Sequence, residues 1–216
     1  MDTPGAAISP SLRYAVDAPP RGRLSVAVRI MNLTERHAAD ICTWRYPAPY
    51  QCYDVLGAVP GYFLAPANGF FALVDDDGEL IGYRSFGPDG QVPGGGYQDD
   101  ALDTGGGLRP ELTGLGRGLG RRAIATGLAF GLERFRPTAF RVTVADFNGR
   151  ARHVVESLGF VHVSSFAAST DSSRFHVFLR SAARADQTDV VGDDDRLHPV
   201  PRADLREGAA DVRLDG

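Results

Sequence analysis

A glycine-rich segment that stands directly before the longest helical pattern constrains the fold of this 216-residue chain more than any other feature. Every second residue from Gly114 to Gly120 is glycine, a weak strand pattern over residues 101–108 precedes the segment, and a helical pattern over residues 117–135 follows it. Glycine lets consecutive backbone N–H groups turn inward, and the start of a helix adds a partial positive charge. The segment therefore predicts a site for an anion, most naturally a pyrophosphate, and a flexible connector is the alternative interpretation.

The same residues exclude two other nucleotide-binding motifs. The dinucleotide fingerprint G-x-G-x-x-G is not formed, because the glycines alternate strictly by two. All 23 basic side chains are Arg, so the chain has no lysine for a P-loop, for a Schiff base or for a lysine general base. We therefore expect Arg117, Arg121 and Arg122 to supply the side-chain attraction for phosphate.

The hydrophobic pattern along the chain predicts one mixed sheet with helices on its faces, which is an α+β fold. The order of the elements is β-α-β-β-β-α-β-α-β-β. The Asp77-Gly78 pair is typical of a tight hairpin turn, and Gly159 suits the left-handed end of the last helix. The predicted strands are 24–31, 70–74, 79–86, 101–108, 140–145, 160–167 and 174–179, and the predicted helices begin at Thr34, Arg117 and Arg150.

The two ends of the chain have the composition of loose segments. Residues 1–22 are rich in Pro, Ala and Gly, whereas residues 182–216 lack aromatic residues and any sustained apolar period. The second segment holds nine acidic residues and five Arg and so accounts for the net charge of −4. We therefore expect one folded domain over residues 23–181, a loose N-terminal extension, and an acidic tail that is disordered or, alternatively, docks a partner. A neutral body with an acidic tail argues against nucleic acid as a partner.

Nothing in the sequence indicates export, a membrane or a metal. The N-terminus has no apolar signal-peptide core, and no apolar run approaches the ~20 residues of a membrane helix. Cys42 and Cys52 do not make a disulfide framework, although a bridge between them is possible. The five His show no metal-ligand spacing, and His162 and His176 are expected to face each other on the closing strands. We therefore expect a cytoplasmic protein without a bound metal.

Several motifs together resemble the GCN5-related N-acetyltransferase (GNAT) superfamily. They are Leu108-Arg109-Pro110, then Gly118-Leu119-Gly120-Arg121, then FRVTVA at 140–145, and then the series Asn148, Ala151, Glu156, Gly159 and Phe160. The resemblance implies a GNAT-like fold whose fourth and fifth strands diverge around the pantetheine of acetyl-CoA, with the pyrophosphate on the glycine loop. The cofactor-binding residues that it implies are Leu108, Leu115, Gly116, Arg117, Gly118, Leu119, Gly120, Arg121 and Asn148.

The exact position of the phosphates on the loop stays open by two residues. The usual distance from the proline of the motif selects Gly116 and Gly118, whereas the flanking sequence selects Gly118 and Gly120. A two-residue insertion within residues 113–116 would explain both alignments. Asn148, which in the family commonly contacts CoA or a bound water, is equally well interpreted as the cap of the helix that follows it.

The resemblance also implies direct transfer of an acyl group from a CoA thioester to an amine, which needs a general base and a proton donor. Asp103 is the expected base, although a plain structural role at the strand edge is the alternative. Val155 stands where the family often carries a tyrosine that protonates the departing thiolate, so Tyr97 or water is the expected replacement. The fallback candidates for the base are Asp99, Asp100 and Glu111.

The expected function is that of an acetyl-CoA-dependent N-acetyltransferase acting on a primary amine of a small molecule or a peptide. Because Val155 cannot donate a proton, a non-catalytic acyl-CoA-binding module on the same fold is the alternative. A purely structural partner-binding domain is a third option, and a serine hydrolase is disfavoured because no serine has a nucleophile-elbow context. The acceptor and the oligomeric state are not indicated, and the regions expected to set acceptor specificity are residues 46–68, with Tyr46, Tyr50 and Tyr53 beside Trp44, and residues 87–100.

Overall fold

The computed structural model describes residues 27–97 and 100–183. The predicted N-terminal extension lies outside these ranges, and so does the predicted acidic tail except for Ala182 and Ala183. The first predicted strand, over residues 24–31, begins outside them as well. Its described part forms a strand over Arg29–Asn32.

One mixed sheet organises the described part of the chain, and this confirms the predicted α+β class. Its strands are β1 (Arg29–Asn32), β2 (Phe70–Val74), β3 (Leu80–Phe86), β4 (Leu102–Leu108), β5 (Ala139–Ala145), β6 (Val161–Ala167) and β7 (Arg174–Ser181). They stand in the order β1-β2-β3-β4-β5-β7-β6. Each neighbouring pair is antiparallel except β4 and β5, which run parallel.

Helices cover both faces of this sheet. They are α1 (Glu35–Thr43), α2 (Pro60–Leu64), α3 (Leu119–Phe135) and α4 (Gly149–Ser157). The predicted start of α1 is confirmed, because the hydroxyl of Thr34 accepts a hydrogen bond from the backbone N–H of His37 at 3.2 Å. The sequence did not predict α2, a five-residue helix that begins with Pro60, a residue suited to the first helical position.

The hydrophobic core lies in two layers, one on each side of the sheet. On one side α1 and α2 bury Ile41 and Phe63 against β2 and β3. On the other side α3 and α4 bury Leu128 and Val155 against β5 and β7. Because α3 joins the parallel strands β4 and β5, its N-terminus lies beside the carboxyl end of β4, and the glycine segment forms that connection.

Glycines are central to two differences between the predicted and the observed elements. The helix α3 begins at Leu119 rather than at 117, because Gly118 has the left-handed φ of +66° and cannot belong to the helix. The predicted weak strand is a complete strand, Leu102–Leu108, despite its three glycines. At Gly106, where φ is +153°, an added Cβ would overlap the carbonyl oxygen of Tyr83 on β3, so the residue permits close pairing of the two strands.

Candidate active site

A gap opens between β4 and β5, because the two parallel strands pair only at their beginnings. Leu102 lies opposite Phe140, and Asp103 lies opposite Arg141, and no further pair follows. Residues of β4 up to Leu108 continue to pair with β3, and β5 continues to pair with β7. The two halves of the sheet therefore diverge toward the carboxyl ends of β4 and β5.

The divergence leaves backbone polar groups facing the gap. The N–H of Arg109 donates to Ile81 on β3, so the Leu108 carbonyl in the same peptide group points away from β3. Likewise the N–H of Asp146 donates to Arg174 on the side of β7, so the preceding N–H of Ala145 points toward β4. A ligand that lies in the gap can pair with groups of this kind on both strands.

Two tyrosines from the segment between α1 and α2 occupy these groups. We call residues 46–53 the tyrosine strap. The hydroxyl of Tyr46 donates to the Leu108 carbonyl at 2.7 Å, and the hydroxyl of Tyr53 accepts from the Asn148 amide at 3.0 Å and hydrogen-bonds the backbone of Ala145. The two rings meet edge to face with centroids 6.4 Å apart. Burial is the main cause that raises the pKa of both hydroxyls above the ordinary value of tyrosine.

The glycine loop, residues 114–118, has the turning backbone that suits an anion. Gly114, Gly116 and Gly118 have φ values of +72°, +66° and +66°, whereas the residues between them do not have positive φ. Successive N–H groups in a turning segment of this kind converge on one side of the backbone. No side chain of the described residues caps the N-terminus of α3 at Gly118, so the loop and the first turn of the helix present their N–H groups together.

The residues expected to bind the pyrophosphate lie on this loop and on the first turn of α3. Leu115, Gly116, Arg117 and Gly118 belong to the exposed loop, and Leu119, Gly120 and Arg121 form the first helical residues. The alignment that selects Gly116 and Gly118 uses amides of the loop, whereas the one that selects Gly118 and Gly120 reaches into the first turn of α3. The two sets of amides adjoin each other. Which of these amides would hold the phosphates stays a prediction.

Arg150 on α4 is a cation beside this loop that sequence reasoning did not single out as a binding residue. Its guanidinium lies against Gly114, donates to the Tyr50 hydroxyl at 3.0 Å and stacks on the Tyr50 ring at 4.4 Å. The only sequence signal for it was its position two residues after Asn148, in the motif itself. Arg150 thus adds its positive charge to those of Arg117, Arg121 and Arg122, and a terminal nitrogen of Arg122 lies beside Gly118.

Asp103, the expected general base, lies in an ion pair inside the protein. Its two carboxylate oxygens accept from Nε and from a terminal nitrogen of Arg141 at 2.6 and 2.8 Å, and one of them also accepts from Gln91 at 2.7 Å. The ring of Tyr97 covers the guanidinium of Arg141 at 4.7 Å. This cluster lies where β4 and β5 still pair, at the closed end of the gap, so its geometry favours the alternative structural role.

The other candidates for proton transfer lie in different places. The Tyr97 hydroxyl accepts from the N–H of Val92 at 2.8 Å and lies 3.3 Å from the Thr143 hydroxyl. Asp100 is exposed, and Asp99 lies outside the described residues. Glu111 is exposed on the turn after β4, and its charge contributes to the raised pKa of Tyr46, which places it near the mouth of the gap.

The gap beside a glycine loop is the arrangement that the resemblance to acetyltransferases implied. A family model described as "Acetyltransferase (GNAT) family" matches residues 33–160, more than half of the chain. The chain belongs to the GNAT acetyltransferase family. Among curated proteins, no sequence matches it significantly.

Solved structures share the GNAT fold of this chain at low sequence identity. One is a chimera of spermidine N-acetyltransferase SpeG from Vibrio cholerae with hSSAT, with a TM-score of 0.59, 15% identity, and coverage of 74% of this chain and 99% of that one. Another is AAC(6')-Ib in complex with paromomycin and acetyl-CoA, with a TM-score of 0.60, 14% identity, and coverage of 77% and 99%. A third is a GNAT acetyltransferase from Bacillus anthracis, with a TM-score of 0.57, 12% identity, and coverage of 73% and 96%.

Two residues of α4 and its cap, Val155 and Asn148, have roles that the structure makes visible. Val155, in place of the tyrosine that the family often carries, is buried in the core between α4 and the sheet. Asn148 caps α4, because its side-chain oxygen accepts from the N–H of Ala151 at 3.1 Å, and its amide nitrogen at the same time contacts Tyr53. In residues 27–97 and 100–183 there is no helix long and apolar enough to span a bilayer and no group of three metal-ligating side chains.

Proposed function

We propose that this GNAT protein transfers the acetyl group of acetyl-CoA directly to a primary amine of a small molecule or a peptide. The observation that carries the proposal is the gap between β4 and β5 next to the converging N–H groups of the glycine loop. The loop suits a pyrophosphate, and the gap offers backbone partners to an extended chain with amide groups, which is the chemistry of pantetheine. Two of the similar structures, a spermidine N-acetyltransferase chimera and the complex of AAC(6')-Ib with paromomycin, support a small amine as the acceptor.

The site residues take the following roles in this proposal. Loop and helix N–H groups from Leu115 to Arg121 hold the pyrophosphate, with Arg117 and Arg121 adding charge. The backbone near Leu108 pairs with the pantetheine or the thioester carbonyl, and Asn148 lies at the opposite wall of the gap. The sequence-based roles of Asp103 as base and of Tyr97 as proton donor stay predictions. The contacts of Asp103 with Arg141 support a role in holding β4 and β5 together.

A non-catalytic acyl-CoA-binding module is the second candidate function, and the observation in its favour is the apolar Val155. Such a module needs the loop and the gap but no proton transfer. Both functions predict that acetyl-CoA raises the melting temperature. Only the first predicts release of free CoA thiol when an amine is present.

The loop can be tested with one matched pair of variants. At Gly116 and at Gly61 an added Cβ meets no atom within 4 Å, but only Gly116 has positive φ. Gly116→Ala therefore disfavours the present loop geometry by about 1–2 kcal/mol. Because binding would have to force the relaxed loop back into that geometry, we expect the Kd for acetyl-CoA in calorimetry to rise roughly tenfold. Gly61→Ala is expected to bind like the wild type. An unchanged Kd for Gly116→Ala, or no acetyl-CoA binding at all by the wild type, would contradict the assignment of the loop.

The transferase activity is tested with a thiol-release assay over a broad panel of amines that includes polyamines, aminoglycosides and peptides with free N-termini. Acceptor-dependent thiol release at a rate above hydrolysis supports the transferase. Tight binding of acetyl-CoA without thiol release over the whole panel supports the binding module instead.

A further inference from the structure

Expulsion of CoA from an acetyl thioester produces a thiolate, and a hydroxyl that can protonate the sulfur speeds this step. The thioester must lie in the gap between β4 and β5 if the proposed function holds, so a proton donor has to reach that gap. Val155 on α4 is apolar and buried in the core and cannot serve. Three tyrosine hydroxyls lie at the gap, those of Tyr46 and Tyr53 on the tyrosine strap and that of Tyr97. The hydroxyl of Tyr50, also on the strap, instead accepts from Arg150 beside the glycine loop.

The hydrogen bonds of these three hydroxyls distinguish them. Tyr46 donates its proton to the Leu108 carbonyl. Tyr97 is held by the backbone of Val92, from which it accepts at 2.8 Å and to which it donates at 3.2 Å. Tyr53 instead accepts from the Asn148 amide, so that contact leaves its own proton available.

The orientation of the Asn148 side chain shows that Tyr53 is the acceptor in this contact. Its side-chain oxygen accepts from the N–H of Ala151 at the start of α4, so its NH₂ group is the one that faces Tyr53. The backbone of Ala145, whose N–H points into the gap, also bonds the Tyr53 hydroxyl. The ring is held by Tyr50, with centroids 6.4 Å apart, and by Phe147, with centroids 6.0 Å apart.

From this geometry we propose, on the basis of the proposed function, that Tyr53 is the catalytic acid that protonates the CoA thiolate. The amine nitrogen attacks the thioester carbonyl, a C–N bond forms, and the C–S bond breaks with its electron pair going to sulfur. The sulfur takes the proton of the Tyr53 hydroxyl. The nitrogen, which became cationic on attack, then loses a proton that returns to Tyr53 through solvent, and the proton that the ammonium lost before attack is the one released overall. Burial raises the pKa of Tyr53, which keeps the hydroxyl protonated throughout the physiological range.

Three variants that each remove one hydroxyl test the assignment: Tyr53→Phe, Tyr97→Phe as the rival, and Ser157→Ala as the control. The Ser157 hydroxyl donates to the Val154 carbonyl on the exposed end of α4. Each is assayed with the best acceptor of the amine panel, using acetyl-CoA and, separately, S-acetyl-4-nitrothiophenol, whose acidic thiol leaves without protonation. We expect Tyr53→Phe to lose roughly 100-fold or more in kcat with acetyl-CoA. With the aryl thioester we expect a loss below about threefold, and Kd for acetyl-CoA within about twofold of the wild type, because only proton donation is removed.

The outcomes separate the hypotheses. Activity of Tyr53→Phe near that of the wild type overturns the assignment, and an equal loss with both donors reduces Tyr53 to a positioning residue and also overturns it. A selective loss in Tyr97→Phe alone transfers the role to Tyr97. A wild type that binds acetyl-CoA but transfers to no amine refutes the proposed function, and the inference with it, whereas an active wild type with an active Tyr53→Phe refutes the inference alone.

Discussion

Replacing Asp103 by Asn distinguishes most sharply between a catalytic and a structural carboxylate in this protein. The side chains of Asp103 and Arg141 are 5% and 2% exposed, and two hydrogen bonds of 2.6 and 2.8 Å join them. Asn keeps the volume of Asp but removes its charge, so the Arg141 guanidinium would face a neutral amide in the interior. Breaking a buried ion pair in this way costs about 3–5 kcal/mol. We expect about 3 kcal/mol for Asp103→Asn, because the amide keeps part of the hydrogen bonding.

The loss is measured by urea unfolding with the fluorescence of Trp44, the single tryptophan, which is buried in the core on the α1 side. In thermal unfolding, the same loss should lower the melting temperature by about 6–12 °C, since each kcal/mol corresponds to about 2–4 °C in a chain of this size. The double variant Asp103→Leu with Arg141→Met replaces the pair by apolar side chains and should recover most of the stability. The reasoning is refuted if Asp103→Asn unfolds like the wild type and has lost acetyl transfer, because the carboxylate would then be the general base.

Three further predictions concern packing, charge and pH. Gly131→Val on α3 should cost about 1–3 kcal/mol in urea unfolding, because even a Cβ would lie 2.8 Å from Phe86 and 2.9 Å from Phe140, whereas Gly120→Ala, with no neighbour closer than 4.0 Å, should not destabilise. Arg150→Ala should weaken acetyl-CoA binding about fivefold in calorimetry and make it less sensitive to salt, and the exposed control Arg36→Ala should change neither. The hydrogen bond from His176 lowers the pKa of Asp146, so its stabilising contribution is present above the ordinary carboxyl pKa and is lost as the pH falls through the lowered value. The difference in urea midpoint between the wild type and Asp146→Asn should therefore be larger at pH 7 than at pH 3, and an equal difference at both would contradict it.

Local sequence patterns predicted the features of this protein that depend on neighbouring residues. The glycine alternation predicted a turning backbone before α3, and Gly114, Gly116 and Gly118 all have positive φ. The position of His162 and His176 on the two closing strands predicted that they face each other, and this is confirmed by a separation of 3.3 Å between their ring nitrogens. The family resemblance rested on motifs of this local kind and is also confirmed.

The remaining features depend on pairs of residues that are far apart in the chain. Asp103 meets Arg141 across 38 positions, Tyr46 meets Leu108 across 62, and Tyr53 meets Asn148 across 95. Nothing in the pattern around Asp103 distinguishes a buried carboxylate from a reactive one, because the register of β4 against β5 decides its partner. The contacts of the tyrosine strap were equally hidden from the local sequence. Its aromatic residues are predicted to line the acceptor side, but the hydroxyls of Tyr46 and Tyr53 bind groups on both walls of the gap.

Under the proposed function, the tyrosine strap couples the donor site to the acceptor site. A pantetheine chain that pairs with the Leu108 carbonyl has to replace the Tyr46 hydroxyl, which already donates to that carbonyl. Because the strap belongs to the region expected to set acceptor specificity, loading the donor alters the shape that the acceptor meets. Thermodynamic reciprocity then requires that a good acceptor changes the affinity for the donor by the same factor. Under the proposed function, acceptor selectivity is therefore a property of the donor-loaded protein, and we expect an acceptor screen on the free protein to rank amines differently from one in saturating acetyl-CoA.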